Sequence, residues 1–394
     1  MPATVSSVDE RLYQYATVAQ LEKLEAINAH GSMRRAAKAL GLNKSAVLQA
    51  LQEVKRKAAI SGYSPEHDLT RPVAPGQMLR GASTLYRRGE PEPVLQWVKT
   101  SKDDDQREFI VQAAIKALSE DVRGLAPAIN PPKHTASNLL TVYPFGDPHF
   151  GMYAWAQESG SDFDLATARD QTLAAVDRLV ATSPPSDTCI VLPLGDIFHA
   201  NDATNQTPGH KHPLDTDGRF VKVLGVGIQT FRHAILRALE KHQYVVVRFV
   251  AGNHDPQAVW SLAFTISAYF EDEPRVTVDL SPAKHWFYRF GKVLIGATHG
   301  DTTKHPALLG VMAADRAEDW GQTKHRYWYT GHVHNQTVTE LPGVVCESFR
   351  TLAARDAWAS GAGYRAGRDM RAIVLDREHG EVERHRVDVG MLAS

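Results

Sequence analysis

The sequence predicts an α/β fold, two sheets stacked as a sandwich and flanked by helices, preceded by a small helical unit. Three observations carry this expectation. From Leu139 onward, short runs rich in Val, Ile and Leu alternate with stretches of helical periodicity. Five short runs bearing Asp, Asn or His each follow one of those strand-like segments, where open α/β sheets place their ligands. Before residue 125 the pattern differs, with three helical stripes followed by two alternating segments.

Residues 1–17 are polar and read as a flexible arm. Val18, Leu21, Leu24 and Ile27 recur at helical spacing, and Gly31 ends that helix. Ser32 caps a short helix carrying Ala36, Ala37 and Leu40, stopped by Gly41, and Asn43 caps a third with Val47, Leu48, Leu51 and Val54 on one face. Small Ala36 and Ala37 permit a close helix crossing, so residues 18–60 resemble a helix-turn-helix. Over 61–124 the sequence predicts a hairpin of 78–86 and 93–100 around Arg88-Gly89-Glu90-Pro91, with Tyr86 and Trp97 packing, then a helix over 104–123. The hairpin reads either as a wing on the helical unit or as a separate small sheet. Proline-rich 125–138 reads as a linker.

In the second half, predicted strands at 139–145, 188–193, 244–250, 275–280, 286–290, 292–298 and 327–330 are separated by helices at 163–182, 218–242, 258–270 and 306–318. Closing strands over 337–349 and a hairpin of 370–389, turning at His379-Gly380, complete a domain of residues 139–394.

Composition excludes several classes. A hydrophobic content of 43% and a charged content of 23% suit a soluble globular chain of 394 residues with two or three domains. The absence of a long apolar run and of a leader pattern implies a cytoplasmic protein with no membrane partner. Cys189 and Cys346 sit in apolar surroundings and suggest no disulfide framework. Net charge is −1, yet residues 31–60 hold seven basic residues against Glu53 alone. That concentration makes Arg34, Arg35, Lys38, Lys44, Lys55, Arg56 and Lys57 candidate phosphate contacts, with Ser45 and Gln49 as further DNA-facing candidates on the third helix.

The five runs are Asp147-Pro-His149, Gly195-Asp196, Gly252-Asn253-His254-Asp255, His299-Gly300-Asp301 and Gly331-His332-Val333-His334. Each alone is ordinary turn chemistry, but the ordered set offers a mixture of oxygen and imidazole donors suited to two divalent metals. Two cations need an anionic bridge, and together they can activate water and offset charge on a phosphate ester. A nearby imidazole can protonate the leaving oxygen.

In this order the runs resemble the calcineurin-like metallophosphoesterase superfamily over residues 139–390, which implies its two-sheet sandwich. The resemblance implies that one metal takes Asp147, His149 and His334, the other takes Asn253, His299 and His332, and Asp196 bridges both. It implies His254 as general acid, with Asp255 orienting it, and leaves Asp301 as a turn residue. The second run continues Ile197-Phe198-His199, similar to SbcD-type DNA repair nucleases, which adds His199 as a catalytic candidate that could steer a strand. His210 and His212 read as solvated. Arg350, Arg355, Arg365 and Arg368 read equally as DNA contacts or partners of surface acids. Only 60 residues follow His334, which argues against an SbcC-like ATPase partner, and the helix-turn-helix makes the arrangement similar to phage-encoded metallophosphoesterases.

These features imply a DNA nuclease using two divalent ions, manganese first and iron or zinc as alternatives, with a homodimer left open. The competing expectations are a phosphatase or cyclic-nucleotide phosphodiesterase with a DNA-binding appendage, and a DNA-binding regulator whose phosphoesterase domain only scaffolds.

Overall fold

The computed structural model describes residues 7–65, 77–86, 93–102 and 122–392. The chain divides into two compact units, 1–114 and 115–394.

In the first unit, Val18–His30 (α1), Met33–Ala39 (α2) and Lys44–Ile60 (α3) are helices whose ends follow local chemistry. Thr17, Ser32 and Asn43 each accept a backbone N–H from the first turn, and Gly31 closes α1 at φ 65°. Leu24, Ile27, Ala36, Ala37, Val47, Leu51 and Val54 share one core. Three of the expected apolar positions do not join it: Val18 is 88% exposed, Leu48 36%, and Leu21 is half-buried outside the cluster. Val18 occupies the first position of α1, outside the turn that packs. The flexible-arm reading of 1–17 needs correction over residues 7–17, the part of it that is described. Glu10–Tyr15 form a 3-10 helix, Val8 and Leu12 are buried in the same core, and Asn28 Oδ1 accepts the Val8 N–H. Gln77–Tyr86 (β1) and Pro93–Lys102 (β2) pair antiparallel. The 87–92 turn, the 104–121 part of the expected helix and the Tyr86 and Trp97 side chains lie outside the described residues.

The second unit is a four-layer α/β/β/α sandwich. Its six-stranded sheet combines Ala136–Phe145 (β3), Ser186–Pro193 (β4), Tyr244–Arg248 (β5), Val276–Asp279 (β6), Asp369–Asp376 (β12) and Gly380–Asp388 (β13), in the order β13-β12-β3-β4-β5-β6. Strands β3 to β6 run parallel. The second sheet holds Trp286–Phe290 (β7), Val293–Ala297 (β8), His325–Thr330 (β9), Thr337–Leu341 (β10) and Val344–Ser348 (β11), in the order β10-β11-β9-β8-β7.

Period-two alternation builds the layers. Leu140, Val142, Ile190 and Leu192 face Val293, Ile295, Ala297 and Tyr329 between the sheets. The alternate positions Tyr143, Phe145, Cys189, Val191, Val245 and Val247 face the helices Leu165–Thr182, Phe220–Lys241 and Ala258–Tyr269. Leu294, Trp328 and Cys346 pack on Leu308 and Met312 of the helix His305–Asp315. Both cysteines are free and buried, in different layers.

The helix expected over 306–318 breaks at Arg316 (φ −127°, ψ 42°) and resumes as Ala317–Gln322. Residues 125–138 do not form a free linker. Gly124 and Ala126 donate to the carbonyls of Ala268 and Tyr269, Arg275 holds the Ile129 carbonyl at 2.8 Å, and from Ala136 the chain is already β3. Among the described residues, no helix is long and apolar enough to cross a membrane.

Candidate metal centre

The carboxyl ends of β3, β4, β5, β8 and β9 lead directly into the five runs. Short backbone ties keep these ends together: Leu194 N–H to the Phe145 carbonyl, Val250 N–H to the Pro193 carbonyl, and Gly331 N–H to the His299 carbonyl. The loops then turn sharply. Asp147, His149, Asp196, His332 and His334 all adopt positive φ, between 43° and 69°. For a residue with a Cβ this costs on the order of 1 kcal/mol or more. Five such residues in one cluster are held by the packing around them, and the strain aims their side chains at a common point.

Two glycines show why the runs carry Gly where they do. A Cβ on Gly195 (φ 101°) would overlap the His299 ring, and one on Gly252 would overlap Asp196. Their role is close approach of neighbouring loops.

The expected ligands fall into two trios whose donor atoms lie within 4.8 Å of one another: Asp147 with His149 and His334, and Asp196 with His299 and His332. In the first, His149 Nε2 and His334 Nε2 are 3.0 Å apart. In the second, His299 Nε2 faces Asn253 Oδ1 at 3.0 Å and Asp196 Oδ2 at 3.2 Å. Two donors about 2.1 Å from one ion and at right angles to each other are separated by about 3 Å, so both spacings suit a shared cation. The oxygen and imidazole mixture suits manganese, iron or zinc.

Hydrogen bonds fix the orientation of the donors. His299 Nδ1 donates to the Leu194 carbonyl at 2.8 Å, which leaves Nε2 toward Asp196 and Asn253. The His332 N–H donates to both Asp147 oxygens at 2.9 Å, and Thr351 Oγ1 donates to the Asp147 carbonyl at 2.6 Å. Leu194 and Thr351 were not legible as site residues; one acts through its carbonyl, and neither belongs to a motif.

The charge balance supports the same reading. Burial works against a charged His299, but Asp196 and Asp147 outweigh it and raise the imidazole to about 10. A proton on Nε2 therefore sits where three lone pairs converge, the place a divalent cation suits. Burial pushes Asp147 up to about 8 despite His299. Asp196 is also penalised by burial, but His299 at 3.2 Å outweighs that and holds its carboxyl well below the usual range. Burial, reinforced by neighbouring imidazoles, holds His149 far below its ordinary value and lowers His334 to about 4. Their ring nitrogens are thus neutral lone-pair donors near pH 7.

A third trio, His149, His199 and His254, also has converging nitrogens. It is the poorer cation site because it lacks a carboxylate and its Nδ1 atoms are engaged. His199 Nδ1 meets His149 Nδ1 at 3.2 Å, and His254 Nδ1 donates to the His199 carbonyl at 2.8 Å. His254 is half-buried and its N–H donates to Asp196 Oδ1, which fixes the ring beside both ligand trios. His199 is buried, stacks on His254 at 5.4 Å, and leaves its Nε2 without a partner.

The expected role of Asp255 is corrected. Its oxygens accept the N–H groups of Gly252 and Phe198, both at 3.1 Å, so it joins the second and third loops, while the His199 carbonyl orients His254. Asp301 lies 3.9 Å from Lys284, and His210 and His212 are exposed in the 200–218 loop. Arg350 pairs with Asp369, whereas Arg355, Arg365 and Arg368 bond backbone carbonyls.

In the first unit, Arg34, Arg35, Lys38, Lys44, Ser45, Gln49 and Arg56 are exposed, and Lys55 is half-buried. Lys57 is half-buried and donates to Gln20 Oε1 at 3.3 Å, which ties it to the helical core and away from a free phosphate-binding position.

No protein-family model matches the chain, and no curated protein matches it either. Among solved structures, similar ones include an archaeal phosphodiesterase (12% identity, 64% of this chain and 99% of that one, TM-score 0.32). Vps29 from Entamoeba histolytica, complexed with zinc, is 15% identical over 64% of this chain and 99% of its own, with a TM-score of 0.27. A conserved protein from Streptococcus pneumoniae described as a predicted phosphoesterase is 11% identical over the same shares, with a TM-score of 0.25. At these values the likenesses assign neither substrate nor reaction to the chain, whose own geometry is that of a strand-end cluster with two donor trios, each of which could hold a cation.

Proposed function

We propose that the chain is a metal-dependent phosphoesterase of the calcineurin-like type, acting on DNA phosphodiesters. The observation that carries this reading is the convergence of two oxygen-and-imidazole trios on loops that follow strands of both sheets, with the His299 ring oriented by the Leu194 carbonyl. Cations bound there supply Lewis acidity and a neutral-pH nucleophile derived from water.

The remaining chemistry belongs to side chains. Asp147, His149 and His334 would hold one cation, and Asn253, His299 and His332 the other, with Asp196 between them. His254 contributes no ligand in this scheme. Its Nδ1–H is fixed by the His199 carbonyl, so in the imidazolium form its Nε2–H is the acid for a departing oxygen. The partnerless Nε2 of buried His199 stands beside it. If His149 donates from Nδ1 to His199 Nδ1, His199 carries its proton on Nε2 and offers a hydrogen bond to a phosphate oxygen.

DNA as the substrate is supported by the exposed basic residues of α2 and α3. The proposal extends to a DNA-binding role for that unit, with manganese as the first metal to try. Purified protein is incubated with linear, circular and single-stranded DNA in the presence of manganese, iron or zinc. Metal-dependent cleavage is expected; intact DNA under every metal, alongside turnover of a small phosphomonoester, overturns the nuclease reading.

A further inference from the structure

Four of the exposed aromatic rings on the second unit lie on two neighbouring loops. Tyr153 is 46% exposed, Trp155 45%, Trp358 71% and Tyr364 47%. Isolated exposed apolar residues need no explanation, but these four sit on two loops that are laced together. Ser360 Oγ donates to the Glu158 carbonyl at 3.1 Å, and Arg355 donates to the Ser159 carbonyl at 3.3 Å. Both loops also grow from the metal centre. Tyr153 lies four residues beyond His149, a reach of at most about 14 Å. The other loop follows Thr351, whose hydroxyl holds the Asp147 carbonyl.

Local structure turns the rings outward. Ala154 is buried and bridges Phe163 in extended conformation, so period-two alternation places Tyr153 and Trp155 together on the outer face. Trp358 and Tyr364 have centroids 5.7 Å apart, inclined at 30°, on and just after the short helix Ala357–Gly361. Arg355 and Arg365 stand among them, and the bonds they make among the described residues are to backbone carbonyls, with no carboxylate among their partners there. Two nearby acids are turned to the backbone: Asp162 accepts the Ala156 N–H, and Asp356 caps Ala359. Glu158 remains exposed.

We propose that these two loops form a stacking platform for the unpaired bases of a single nucleic-acid strand entering the metal centre. The inference rests on the phosphodiesterase reading above and narrows its substrate to unpaired strands or strand ends. Aromatic faces accept any base, and pinned guanidiniums beside them suit the intervening phosphates. A duplex, whose bases are already stacked, cannot use such a surface.

The test uses the full chain with divalent ions chelated, so that binding is read without cleavage. Fluorescence anisotropy compares a labelled oligothymidylate, an abasic strand of equal length, a uridylate strand and a duplex. We expect the thymidylate and uridylate strands to bind more tightly than the abasic strand and the duplex. Trp358→Ala and Trp155→Ala should each weaken thymidylate binding by about 5- to 150-fold and erase the preference over the abasic strand. Trp358→Phe should restore most of it, which a folding defect would not allow. Arg365→Gln should lower the salt slope of binding by about 0.7. Equal binding of abasic and thymidylate strands by the unaltered protein, or unchanged affinity in both tryptophan variants, overturns the platform. Hydrolysis of bis(p-nitrophenyl) phosphate by the unaltered protein with manganese, iron or zinc is scored separately. Its absence sinks the phosphodiesterase reading, whatever the binding result.

Discussion

Asp147 and Arg34 carry charge in opposite ways. Asp147 is fully buried, strained at φ 43°, and bonded by the His332 N–H and, through its carbonyl, by Thr351. Arg34 lies exposed on α2, in a helix whose backbone needs nothing from it. The first kind of residue is placed by several segments at once, here those of His299, His332 and Thr351, so its function depends on a geometry that the whole unit maintains. The second depends on net field, and its neighbours Arg35 and Lys38 can share its work. The contrast explains why a motif order specifies a convergent set of side chains, while a charge run specifies only a face.

The comparison breaks most easily at Asp196. Asp196→Ala removes the proposed bridge, and calorimetric uptake of manganese should fall below detection together with turnover. His254→Ala should keep metal uptake while turnover falls by about 10²- to 10⁴-fold, since it removes an acid and no ligand. Equal loss of metal in both variants would contradict this division of labour.

A subtler test lies in Gly252. Gly252→Ala forces a Cβ into Asp196 and should destabilise the unit by about 1–3 kcal/mol in urea unfolding, with weakened metal uptake. An unperturbed variant would show that the loops do not need their close approach.

Next in size is an effect of pH on the same unit. His242 is buried between the Tyr143 and Ser186 hydroxyls, and burial lowers its pKa to about 4. The folded pKa lies below the unfolded value near 6.5, so its contribution is complete above that value and is lost as pH falls toward 4. Only the unfolded chain takes up the proton across that window. The loss from pH 7 to pH 5 should be about 2 kcal/mol, and His242→Gln should remove that part of the pH dependence. The same slope in both proteins would place the titration elsewhere.

The smallest effect belongs to the basic face. Replacing Arg34, Arg35 or Lys38 singly by Gln should lower the salt slope of duplex binding by about 0.9 for each phosphate that the variant no longer neutralises. An unchanged slope in all three would remove α2 from the DNA interface.

Much of the molecule was legible because its signals are local. Ser32 and Asn43 mark helix starts since only a short polar side chain caps a first turn. Leu140, Val142, Ile190 and Leu192 mark one sheet face because the strand repeat is two. Polarity misled at residues 7–17, where Val8 and Leu12 are buried in the helical core, and at 125–138, where Ala126 and Ile129, beside the prolines, are held by hydrogen bonds to the rest of the unit. Asp255 was misassigned because adjacency to His254 in the chain says nothing about which backbone amides its carboxylate meets.

By itself the sequence determined the layers, the strand-end positions of the five runs and the donor types, because periodicity and residue chemistry are properties of neighbours along the chain. Only the tertiary structure decided which nitrogen of His299 faces inward, that His199 is sealed against His149, and that two laced loops leave four aromatic rings in water. Those outcomes depend on carbonyls, packing and exposure contributed by segments as far apart as Asp147 and Thr351, and no local pattern encodes them.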